Sequence, residues 1–149
     1  VPKNSKILQI NTAYNETCVQ VTFFAQRFPY YAKDWGTVIY GDPEQAAAVL
    51  KRAGYDFFQI DLSDKRLRFK NIHVFSPIFQ YPSMLKYFDI YWESDGRYLL
   101  TWKSDNGKPV EPQIALEFSR QVKALIEEQK GYARPYLRHK LLRESGEKW

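Results

Sequence analysis

Asp61 and Asp64 are the side chains best placed by sequence to do chemistry. They close the segment YDFFQIDLSD, at the C-terminal end of an expected strand, where α/β proteins tend to put ligand sites. Two carboxylates at such an edge could hold a divalent cation or divide acid and base duties between them. Asp-Leu-Ser-Asp leading into the charged stretch KRLRFKN is also ordinary turn sequence. His73, in NIHVF, is the third candidate binding residue. It has no Asp, His or Cys cluster around it in sequence, and a lone strand histidine is usually structural or surface-exposed.

A second kind of chemistry is suggested by YGDPEQAAAVLKRAG, where a glycine turn precedes a helix as in phosphate cradles. A phosphate turn needs several glycines, in patterns such as GxGxxG or GxxxxGK[ST], and only Gly41 is present. Asp42 would place its own carboxylate on the helix N-terminus, and Pro43 removes one donor. The helix start is therefore expected to be capped from within. Cys18 is the single cysteine, so no internal disulfide is possible, and without a partner it makes a poor metal site. GxSxG, HExxH and CxxC are all absent. No catalytic residue, metal site or cofactor is expected.

The net charge of +5 is unevenly placed. Residues 130–149 carry six Lys/Arg against two Glu, or +4, while the preceding 129 residues carry +1. Arg134, Arg138, Lys140 and Arg143, with Tyr132, Tyr136 and Trp149, form a basic aromatic tail. Cations with stacking rings suit single-stranded nucleic acid, an anionic membrane surface or a solvated terminus. The near-neutral body and the lack of an RRM, KH or helix-turn-helix pattern make nucleic acid the least favoured of these.

The elements that must position these residues are well marked. The 149 residues suit one α/β domain over 1–130, followed by the tail over 131–149. Ile7–Ile10 suits a first strand. Val19, Val21 and Phe23 suggest a second by alternation, with a helix over 21–31 as the alternative. Thr37–Tyr40 reads as a short buried strand. Asp42 as N-cap, Pro43 at the first helical position and Gln45 at the third make a capping box. Ala46, Val49, Leu50 and Ala53 share one face of the helix, and Gly54 suits a left-handed C-terminal cap. With YDFFQIDL as the next strand, this makes a parallel βαβ unit. A short helix is expected over 82–87. FDIYW and RYLLTW flank the hairpin turn Asp95-Gly96. Glu111-Pro112 starts a final helix with Ile114, Phe118, Val122 and Leu125 inward, and 136–143 suits a last short helix. The expected fold is a small mixed sheet with a parallel βαβ core, an aromatic β-hairpin and a C-terminal helix.

VPKNSKIL resembles the segment that follows the last membrane helix in polytopic GT-C glycosyltransferases, which use polyprenyl-phosphate sugars. LKRAGYDFFQIDL, a helix ending in glycine and then an aromatic strand, is similar to part of the small α/β domain that follows there. FSPIFQYPSMLKYFDIYWESDGRYLLTW resembles the aromatic hairpin region of that domain. The likeness covers roughly Val1–Lys103. It implies an accessory domain on the extracytoplasmic (periplasmic) side, joined to membrane helices of the same polypeptide, that stabilises a catalytic part or helps bind its acceptor. That family's catalytic carboxylates lie in the membrane portion and its first loops, so none carries over. The acceptor-binding WWD motif of the oligosaccharyltransferases among them is absent here, which points away from a peptide-glycosylating relative. Val1 in place of Met is consistent with a preceding segment. The residues themselves leave two other classes open: a small stand-alone hydrolase or transferase using Asp61 and Asp64, and a nucleic-acid-binding module using the tail.

Overall fold

A computed structural model describes residues 5–11, 24–26, 35–63 and 76–128 of the chain. In chain order these form β1 (Lys6–Gln9), β2 (Phe24–Gln26), α1 (Trp35–Tyr40), α2 (Pro43–Arg52) and β3 (Phe57–Asp61). A 3-10 turn (Pro77–Phe79) then leads to α3 (Ser83–Tyr87), β4 (Phe88–Ser94), β5 (Arg97–Trp102), β6 (Lys108–Pro109) and α4 (Pro112–Glu128). The strands make one mixed sheet in the order β2-β1-β3-β5-β4-β6. β1 runs parallel to β2 and β3, and the remaining pairs are antiparallel. The α/β class, the parallel core, the aromatic hairpin and the C-terminal helix all stand as expected.

The first strand of the βαβ unit does not. Thr37–Tyr40 is helical, within α1; the parallel partner of β3 is β1, and α1 and α2 lie between β2 and β3 in the chain. Three consecutive β-branched residues favour a strand locally, but that preference is weak beside tertiary packing. Val38 and Ile39 are buried in the core, and the buried Ser76 hydroxyl donates to the Val38 carbonyl at 2.6 Å. Gly41 N–H closes the last turn of α1 on the Thr37 carbonyl at 2.9 Å, so closely that a Cβ on Gly41 would overlap that oxygen. Gly41 therefore serves a tight helix-to-helix corner.

α2 follows its sequence signals. Gln45 N–H donates to Asp42 Oδ1 at 2.8 Å, and Asp42 N–H donates back to Gln45 Oε1 at 3.4 Å. Pro43 opens the helix, and Gly54 follows its C-cap at φ +87°. The hairpin turn has Asp95 at φ 49° and Gly96 at φ 81°, the two positive angles that a right-twisted two-residue turn requires. The predicted strand over Val19–Phe23, the loop after Ser63, the helix over 136–143 and the tail lie outside the described residues.

The sheet has two unlike faces. Leu8, Phe58, Ile60, Leu100, Phe88 and Ile90 join Leu50 of α2 and Phe118 and Val122 of α4 in the main core. Phe58 is its hub, with ring centroids 5.6 Å from Phe79, 4.9 Å from Phe88 and 4.9 Å from Trp102. The opposite face carries a small buried cluster of Ile7, Phe57 and Leu99.

Tyr55, just before β3, is buried, and its carbonyl accepts from Trp102 Nε1 at 2.8 Å. Burial pushes its phenol up to about 12 from an ordinary 10.0. The folded state thus keeps a proton that the unfolded chain loses above pH 10. This stabilisation is complete below pH 10 and is lost as pH rises toward 12, for a total of roughly 2–3 kcal/mol. Urea unfolding at stepped pH should therefore show the wild type losing more stability across that window than Tyr55→Phe. Parallel curves would contradict the assignment.

Candidate functional site at the end of the parallel strands

Asp61 is the last residue of β3, as the sequence suggested, and its carboxylate is occupied. Oδ1 accepts 2.8 Å from the Ser63 N–H and also takes the Ser63 hydroxyl, an aspartate turn of the ordinary kind. Oδ2 faces Arg97 Nε at 3.7 Å, from the residue directly opposite on β5. Asn11, two residues beyond β1, extends the parallel ladder with its side chain. Its Nδ2 donates to the Asp61 carbonyl and its Oδ1 accepts from the Asp61 N–H, both at 2.8 Å. The hairpin turn closes over this end. Leu62 N–H donates to the Gly96 carbonyl at 2.8 Å, and a Cβ on Gly96 would come within 3.3 Å of Ser63.

The strand register turns these contacts into rows on the face opposite the main core. Asn11, Asp61, Arg97 and Ser94 form the end row. The row behind it is Gln9, Gln59, Leu99 and Trp92. Gln9 and Gln59 are buried, and Gln9 Nε2 has no hydrogen-bond partner among the described residues. Across the sheet the exposure reverses, since β4 is exposed from Tyr91 to Ser94.

The register of β4 shifts between Ile90 and Trp92, so Tyr91 is the extra residue of a β-bulge. Bulges re-aim side chains. Tyr91 joins the face of Trp92, with its ring edge-on to Phe57 at a centroid distance of 4.8 Å. Tyr91 and Trp92 remain 48% and 45% exposed. Sequence reasoning missed this pair. The available signal was two adjacent aromatics breaking the strand's alternation just before the turn. It also missed Arg97, whose register with Asp61 appears only once the strands pair.

The structure thus brings Asp61 into a clasp with Ser63, Asn11 and Arg97. Asp64, His73, Arg134, Arg138, Lys140 and Arg143 lie outside the described residues. Among the described residues, no three His, Cys, Asp or Glu side chains converge as a metal site. None of the described helices is long and apolar enough to cross a membrane. The start of α2 is closed by its own capping box, as anticipated, which leaves its N–H groups poorly placed for an anion. Comparison with known proteins gave no match to a family model, a curated protein or a solved structure.

Proposed function

We propose that this chain is a non-catalytic binding domain, accessory to a polytopic membrane glycosyltransferase that uses polyprenyl-phosphate sugars. It works on the extracytoplasmic side, is held by membrane helices of the same polypeptide, and helps bind the acceptor or stabilises the catalytic part. Its basic tail suits an anionic membrane surface. The observation that carries the reading is the Asp61 clasp, because a carboxylate that holds a turn and an arginine is committed to the fold. A hydrolase or transferase using Asp61 as acid or base would have to break those contacts first. The resemblance of the segments up to Lys103 supplies the parent class.

The test is fractionation of the native organism's cells with an antibody raised against this chain. The antigen is expected in membranes after carbonate washing, and protease added from the extracytoplasmic side is expected to remove it. Recovery of the antigen in the soluble cytoplasmic fraction would overturn the proposal.

A further inference from the structure

The bulged end of β4 sets two neighbouring aromatic rings on one open surface. Tyr91 is positioned by its edge contact with Phe57, and Trp92 lies beside buried Leu99. Ser94 and Arg97, opposite one another in the next row, bring a hydroxyl and a guanidinium that is 47% exposed. The surface therefore offers two half-exposed aromatic rings with hydrogen-bonding groups along one side.

Its size and charge narrow what it fits. Two half-exposed aromatic rings offer roughly 200 Å², well short of the ~800 Å² per partner that a stable protein interface buries. Arg97 is engaged by the Asp61 carboxylate on this face, and Asp95 in the adjoining turn is exposed. A phosphate backbone would meet acids there. The remaining fit is a small neutral ligand with an apolar face and a hydroxylated edge. We propose that Tyr91 and Trp92 bind a pyranose ring, its C–H face on the aromatic rings and its hydroxyls toward Ser94 and Arg97. This deepens the accessory-domain reading by naming the class of ligand.

The test titrates the 149-residue chain with maltotriose, chitotriose and mannotriose, followed by calorimetry and tryptophan fluorescence. Saturable binding of at least one, with Kd on the order of millimolar, is expected. Trp92→Ala and Tyr91→Ala should each weaken it about tenfold or more, while each variant still unfolds cooperatively above the titration temperature. Trp92→Phe, which keeps a smaller ring, should fall between. No saturable binding, or binding indifferent to all three substitutions, would overturn the proposal. So would a preference for adenosine monophosphate, or a concentration-dependent dimer abolished by Trp92→Ala. Membrane fractionation is read independently, so a failed titration with a membrane-bound antigen rejects the sugar site alone.

Discussion

Phe58→Ala is expected to lose about 3–5 kcal/mol of folding stability, the range for emptying a large buried aromatic site. Phe58 is fully buried on β3 and its ring meets Phe79, Phe88 and Trp102, so one truncation removes three aromatic contacts as well as the ring's own burial. The cavity cannot easily collapse. Phe79 and Phe88 are themselves stacked at 5.4 Å, Phe88 and Trp102 at 5.2 Å, and Trp102 is fixed by its bond to the Tyr55 carbonyl. Domains of this kind have about 5–15 kcal/mol in total, so the variant should sit near the edge of folding at room temperature. Equilibrium urea unfolding reads the loss directly. A drop below about 1 kcal/mol would mean that Phe58 is not the hub of the core.

The second large effect lies at a buried carboxylate for which the sequence assigns no role. Asp89 is 1% exposed on β4, and its Oδ2 accepts from the Ser104 N–H at 2.8 Å while Oδ1 pairs with Lys103 Nζ at 3.1 Å. It ties down the loop that carries the chain from β5 to β6, and Gly107 packs so closely that a Cβ there would overlap the carboxylate. Asp89→Ala should cost about 2 kcal/mol, mainly by leaving the Ser104 N–H without its acceptor. The half-exposed Lys103 adds little, since solvent screens it. Gly107→Ala should cost a comparable amount in the wild type and far less in the Asp89→Ala background, where the obstructing carboxylate is gone. A double-mutant cycle should show a coupling of about 1 kcal/mol or more. Simple additivity would show that the two sites do not meet.

Local signals with a specific backbone demand were readable from the sequence. Asp42, Pro43 and Gln45 start α2, Gly54 ends it, Asp95-Gly96 turns the hairpin and Pro112 opens α4, each through a contact within a few residues. Thr37–Tyr40 was misread because its β-branched run is outweighed by burial of Val38 and Ile39 and by the Gly41 corner, neither of which a local pattern contains. At the candidate site, the position of Asp61 at a strand end was legible. Its meaning was not, because Asn11 lies 50 residues away in sequence and Arg97 arrives only through β5 pairing. The Tyr91–Trp92 face depends on a one-residue register shift, and alternation alone cannot locate such a shift.

On the proposed reading this chain binds its ligand on the open end of β4, with Asp61 holding the architecture beside it. An amide-resolved NMR titration of the chain with the tightest of the three trisaccharides tests that most directly. Shifts concentrated at Tyr91, Trp92, Ser94, Arg97 and Leu99, with the sugar recovered intact, are the predicted result. Shifts centred on Asp61–Ser63 with conversion of the saccharide, or on the start of α2 at Asp42–Gln45, would contradict it.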